Sequence, residues 1–237
     1  MERLHFKSID STNSYLKSNY QSINHLSWVT STVQTKGKGR SSKVWYGDEN
    51  SLLCSLLIKE ELPIEKIQML PLLAAQTIHQ VLSTYQQSIE IKWPNDLLIH
   101  HRKIAGILLE SIVFDNQFKA LIIGFGININ HNAFPDDIKD FSTSLYMETH
   151  QIYDLDQILN MLNQQFIKNY EIFKKNHMEM IHYCNDYLAF KHQAISYIED
   201  NQTLQGKIEY LNNNGHLIVS KDNEQIPLIS GNITLLK

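Results

Sequence analysis

Four cations, Lys36, Lys38, Arg40 and Lys43, fall within eight residues of a chain that is acidic overall. They are interleaved with Gly37 and Gly39 in the run Gln34-Thr35-Lys36-Gly37-Lys38-Gly39-Arg40-Ser41-Ser42-Lys43-Val44-Trp45. Glycines let the backbone turn tightly and bring its N–H groups against a ligand, while lysine and arginine supply charge. Together they suit an anionic small molecule; the plain alternative is a solvated loop with chance charges. The spacing is not that of a G-x-x-x-x-G-K-[ST] phosphate loop.

Two other segments carry chemistry. Lys92-Trp93-Pro94-Asn95-Asp96 sets a lysine at the end of an apolar strand before a turn, which holds its ammonium at the sheet edge. Gly124-Phe125-Gly126-Ile127-Asn128-Ile129-Asn130 ends another apolar strand. Glycine inside a strand weakens it unless something approaches the backbone closely, and a bulge is the bland alternative. G-x-G alone is not a dinucleotide fingerprint. Lys103-Ile104-Ala105-Gly106-Ile107-Leu108-Leu109-Glu110 reads as a strand with a glycine where a ligand or helix could abut it, packing being the plainer reading of the segment taken alone. Cys54 alternates with Leu52, Leu56 and Ile58, which makes it a core thiol rather than a nucleophile. The eleven histidines show no metal-binding pair such as H-E-x-x-H.

The elements that position these residues follow from periodicity. Leu4–Ile9, Ser27–Val33 and Leu52–Ile58 read as strands, the last apolar on both faces and therefore central. Asp10, Ser11 and Thr12 are cap residues for a helix over about 13–20. Helical spacing runs from Pro71 to Tyr85, with Pro71 expected in the first turn. Strands follow at Ile89–Trp93, Leu97–His100, Ile104–Val113 and Phe118–Ile129, with turns at His101-Arg102 and Asp115-Asn116. A strand cluster of this kind favours α+β over a doubly wound sheet. Asp154 and Gln157 open a helix whose apolar stripe runs to Phe173, and a second helix covers about Met178–Leu188. Beyond it, five short strands separated by Asn/Gly turns suggest a small barrel. The expected division is a larger mixed region over 1–188, the one that would carry any catalysis, and a C-terminal β-barrel over 189–237.

At 237 residues, 43% of them hydrophobic, the chain is long enough for a sizeable core. A net charge of −4 argues against a general nucleic-acid or membrane-surface binder. Two cysteines exclude a disulfide framework or a four-cysteine zinc site. The first ten residues lack the apolar core of a signal peptide, so the expected location is the cytoplasm.

Taken in order, Asp10-Ser11-Thr12-Asn13, Gln34 with its basic loop and Trp45, Lys92–Asp96, Lys103–Leu108 and Gly124–Asn128 resemble the successive motifs of biotin protein ligases. The likeness runs from about residue 4 to the C-terminus. It implies a mixed, largely antiparallel sheet flanked by helices, as in class II synthetases, followed by an SH3-like β-barrel. The family loop reads G-R-G-R-x-G-R-x-W; here Lys38 and Lys43 stand at two arginine positions and Ser42 at the last glycine. Charge survives, and bidentate arginine geometry is lost at both lysines. The chain resembles the ligase-only form, in which no helix-turn-helix precedes the catalytic segment.

The resemblance implies that biotin and MgATP give biotinyl-5′-adenylate and pyrophosphate, after which a lysine of a biotin carboxyl carrier protein or carboxylase carrier domain takes the biotinyl group. A carboxylate and a phosphate about 4 Å apart repel by about 4 kcal/mol at an effective dielectric of ~20, so positioned cations are required. By resemblance, Lys92 and Arg40 are the catalytic cations, shared between biotin and nucleotide. Ser11, Thr12, Asn13 and Gln34 contact the ureido ring, Lys38 and Gly39 approach biotin through their backbone, and Trp45 is an apolar wall. Gly37 and Asn128 serve the adenylate, and the magnesium arrives with ATP rather than on a protein motif. Repulsion within the basic loop implies that it orders when an anion arrives. Alternatives are a lipoate ligase-like adenylating transferase and a non-catalytic interaction or regulatory protein. DNA and membranes are not expected partners, and edge-to-edge sheet pairing into a homodimer stays open.

Overall fold

The computed structural model describes residues 2–236 other than Asn116, Asp200, Asn201 and Asn223. Strand β1 (Arg3–Ile9) leads into helix α1 (Thr12–Asn19) and returns as β2 (Trp28–Gln34), parallel to β1. Ser11 caps the helix from an extended backbone, its Oγ accepting from Ser14 N at 3.4 Å. Strand β3 (Ser51–Ile58) is buried along its whole length, as its unbroken apolar run predicts. Leu52, Cys54, Leu56 and Ile58 join the larger core, whereas Leu57 joins the smaller one with Leu16 of α1.

The chain continues through α2 (Ile64–Leu82), β4 (Ile89–Lys92), β5 (Asp96–Ile99), β6 (Arg102–Phe114) and β7 (Gln117–Asn128). The resulting seven-stranded sheet has the order β1-β2-β3-β7-β6-β5-β4, and every pair except β1–β2 is antiparallel. Two expectations differ from the structure. Helix α2 starts at Ile64, so Pro71 lies in its interior. An interior proline costs about 3 kcal/mol; burial of Met69 and Leu70, roughly 1.5–3 kcal/mol each, offsets it. The β5–β6 turn is His100-His101, both with positive φ, and Arg102 belongs to β6. Helix α3 (Leu145–Thr149) has only five residues, too few for its sequence to show a helical period. Of the expected turn at Asp115-Asn116, Asn116 lies outside the described residues.

Helix α4 (Leu155–Lys175) begins where Asp154 accepts from the N–H groups of Asp156 and Gln157, and α5 (Met178–Asp186) follows. Both pack with α2 on one face of the sheet, and α1 lies on the other. The five C-terminal strands, β8 (Ala194–Glu199), β9 (Gln202–Leu211), β10 (Leu217–Lys221), β11 (Glu224–Leu228) and β12 (Ile233–Leu235), form one antiparallel sheet of order β11-β10-β9-β8-β12. Trp93 Nε1 donates to the Gly215 carbonyl at 3.0 Å, tying this sheet to the end of β4. Gly215 sits at φ +75° in the Asn212–Gly215 turn, a conformation that disfavours side chains.

Candidate active site

Strand ends and loops meet over one face of the large sheet around a cavity of about 160 Å³. The start of α1 supplies Ser11, Thr12 and Asn13, and the end of β2 supplies Gln34. These four form the polar end. Thr12 N donates to Gln34 Oε1 at 2.7 Å, Thr12 Oγ1 lies 2.6 Å from Ser55 Oγ, and Ser55 Oγ donates to Asn13 Oδ1 at 2.5 Å. Asn13 Nδ2 in turn donates to Glu110 Oε2 at 2.8 Å.

The basic loop folds over the cavity as a small hairpin. Gly39 N donates to Lys43 O at 2.7 Å and Trp45 N to Gly37 O at 3.0 Å, while Ser41 turns through φ +52°. The Trp45 indole packs flat on the sheet: a Cβ at Gly126 would fall on its ring, and one at Gly106 would lie 2.8 Å from it. The strand glycines therefore make a seat for Trp45. Its indole N–H is buried without a hydrogen-bond partner among the described residues, a donor left over on the cavity wall.

At the charged end, Arg40 Nη1 donates to Asn95 Oδ1 at 2.6 Å and Nη2 to the Gly231 carbonyl at 3.2 Å. The guanidinium thereby joins the loop, the Pro94-Asn95-Asp96 turn and the C-terminal sheet, whose Asn232 also lines the cavity. Lys38 Nζ donates to Ser14 Oγ at 2.8 Å.

Ser11, Thr12, Asn13, Gln34, Lys38, Gly39, Arg40 and Trp45 all line the cavity. Gly37 lines only the adjoining cleft. Lys92 and Asn128 line neither. Lys92 pairs in register with Asp96 across the β4–β5 hairpin. Burial pushes its ammonium below the ordinary lysine range, opposed by Asp96 and reinforced by Lys103 and Lys43. Asn128 is buried, and its Nδ2 donates to the carbonyls of Thr143, at 3.0 Å, and Lys103, at 3.4 Å. It braces the backbone of the lysine that does reach the cavity.

That lysine is Lys103. Its Nζ lies 2.7 Å from Asp96 Oδ1 and 5.3 Å from the Trp45 ring centroid. Among the described residues this lysine is the one partner of that buried carboxylate oxygen, so the two are held together as an ion pair. The available signal was Gly106, three residues on: a Cβ there would come within 2.9 Å of the Lys103 ammonium.

A family model described as the biotin/lipoate A/B protein ligase family matches residues 5–128, just over half of the chain. The chain belongs to that family. Among its relatives, the bifunctional ligase/repressor BirA of Bacillus subtilis is 37% identical over 146 residues, covering 60% of this chain and 45% of that protein. The biotin–[acetyl-CoA-carboxylase] ligase of Paracoccus denitrificans is 26% identical over 165 residues, covering 67% of this chain and 69% of that protein. The chain thus spans about half the length of the Bacillus relatives it matches. The fold matches that of a biotin protein ligase from Aquifex aeolicus in complex with biotin and ATP, with a TM-score of 0.87 at 24% identity over 100% of this chain and 99% of that one.

In this member of the biotin/lipoate ligase family the cavity is polar at one end, walled by an indole, and cationic at the other. Such a shape has the hydrogen-bonding groups for an uncharged polar head at one end and the cations Arg40 and Lys103 for an anionic group at the other. Cys54 also lines the cavity; burial raises its thiol well above the ordinary range, which disfavours the thiolate a nucleophile needs. Among the described residues no three His, Cys, Asp or Glu side chains gather to hold a metal, and no helix is long and apolar enough to cross a membrane.

Proposed function

We propose that the chain activates biotin with ATP as biotinyl-5′-adenylate and transfers the biotinyl group to a lysine of a carrier domain. The observation that carries this reading is the single cavity holding Ser11, Thr12 and Gln34 at one end and Arg40 and Lys103 at the other, with Trp45 between. The first three provide hydrogen bonds for a ureido ring, Trp45 covers its apolar body, and the two cations receive the carboxylate.

In the first step a carboxylate oxygen attacks the α-phosphorus, and pyrophosphate leaves with its magnesium. Lys103 and Arg40 bring the two anions together and hold the charge that grows on the phosphoryl oxygens. This assigns to Lys103 the bridging role expected of Lys92, because Lys103 is the lysine of the two that lines the cavity. In the second step the acceptor amine attacks the mixed-anhydride carbonyl and AMP departs. The loop hairpin over the cavity restrains water from taking the amine's place. A cytoplasmic enzyme, with residues 189–237 as a separate C-terminal unit, belongs to the same reading.

The test is incubation with biotin, MgATP and a biotin carrier domain, followed by intact-mass measurement of the carrier. A biotinyl increment supports the reading. An increment with lipoate and none with biotin favours the lipoate alternative, and no pyrophosphate release with either refutes adenylation.

A further inference from the structure

The hydrogen bonds at the polar end of the cavity admit one arrangement of protons, and Glu110 on β6 sets it. A carboxylate accepts and does not donate, so Asn13 turns its amide nitrogen toward Glu110 Oε2, 2.8 Å away. Asn13 Oδ1 then faces Ser55 Oγ, which spends its one proton there at 2.5 Å. Thr12 Oγ1, 2.6 Å from Ser55 Oγ, must therefore donate to Ser55. Gln34 Oε1 already takes the Thr12 backbone N–H at 2.7 Å, and it stands 3.1 Å from Thr12 Oγ1, whose proton is committed to the shorter bond. The pair Thr12 Oγ1 and Gln34 Oε1 turns lone pairs to the cavity. Gly124 leaves the room this requires, since a Cβ there would fall on the Asn13 amide.

We propose that Glu110, acting through Asn13 and Ser55, is a specificity-positioning residue that makes the polar end of the cavity demand a ligand N–H. The inference rests on the biotin reading above and extends it. A cyclic urea meets the demand; a ring of the same shape with an ether oxygen in place of that N–H turns lone pairs toward lone pairs and is rejected. Lys17 Nζ, 3.7 Å from Glu110 Oε1, flanks the carboxylate on its other side.

Calorimetric titration of the full chain tests this with biotin and the two cyclic carbamate analogues in which one ring N–H is replaced by oxygen. The wild type is expected to prefer biotin to one of the two analogues by roughly 100-fold. In Glu110→Gln the preference falls to about tenfold or less, because a glutamine meets Asn13 in either amide orientation and releases the Thr12 proton. Ser55→Ala, which removes the acceptor of that proton, lowers the ratio with Glu110 intact. A merely structural role would weaken biotin and analogue alike and leave the ratio unchanged. An unchanged ratio in Glu110→Gln therefore overturns the inference and leaves the biotin reading standing. Should Glu110→Gln fail to fold, an unchanged ratio in Ser55→Ala overturns it instead. A wild type that binds biotin without preferring it to either analogue also overturns the inference alone, whereas a wild type that does not bind biotin overturns both.

Discussion

The ammonium of Lys103 lies 2.7 Å from Asp96 Oδ1, so the Pro-Asn-Asp turn aims a lysine from the neighbouring strand rather than the one that precedes it. Asp96 pairs in register with Lys92 on β4 and with Gly106 on β6, whereas Lys103 pairs with Leu98 and reaches Asp96 through its side chain. Lys103 is the one that lines the cavity.

Truncating each lysine separates their roles. Lys103→Ala is expected to slow adenylate formation by roughly 100–1,000-fold, the usual effect of removing one preorganised charge donor. Lys92→Ala, which loses a strand-edge pair, should cost less than about tenfold. Pyrophosphate release under saturating biotin and ATP measures both, and equal losses would return Lys92 to the centre.

Gly126 is the seat of Trp45. Gly126→Ala drives a methyl into the indole and should lower stability by about 1–3 kcal/mol, since overpacking strains its neighbours. Displacing the indole also opens the cavity wall, so biotin affinity should fall more than tenfold. Urea unfolding and calorimetry read the two effects separately.

The basic loop holds itself by few bonds, with Arg40 as its anchor to Asn95 and Gly231. An anion bound between Arg40 and Lys103 should tighten that anchor and slow tryptic cleavage at Lys36, Lys38 and Lys43 severalfold. Arg40→Ala should remove this protection along with most adenylation. Cleavage at the wild-type rate with biotin and ATP present would count against loop closure.

His131 provides a pH dependence unrelated to the reaction. It is buried, its Nε2 lies 2.6 Å from Ser51 Oγ and its Nδ1 3.7 Å from Asp48 Oδ1, and Tyr46 and Phe134 pack on its ring. Burial lowers its affinity for a proton below the ordinary value of 6.5, with Asp48 opposing. The unfolded chain therefore binds more protons in the window just below 6.5, and stability falls as pH drops through it until the folded histidine also titrates. Unfolding measured from about pH 7.5 to about pH 5 should show this loss, with a shallower slope in His131→Gln. His79, also lowered by burial, accounts for part of the remainder.

Long periodic segments are legible in the sequence itself. The stripe from Leu155 to Phe173, the two-faced run of β3 and the cap at Ser11 each follow from side chains that report their own surroundings. The N-terminal half of α2 was not, because a helix-interior proline is expected only where tertiary burial outweighs it. In the site, Thr12, Gln34, Arg40 and Trp45 were legible because loops and caps leave few roles for such residues. Lys103 was not, because which side chain reaches the cavity depends on hairpin register, and the strands slip by one residue between Leu97 and Leu98. A shift of that kind leaves no trace in composition.

The two acceptors of Arg40 are made at very different times. Asn95 follows it by 55 positions and Gly231 by 191. On a ribosome the large sheet and its glycine seat can assemble while this side chain still lacks its second tether, which is synthesised 191 positions after it. A lesion near Gly231, far from Arg40 in the linear order, would therefore loosen a side chain that lines the cavity.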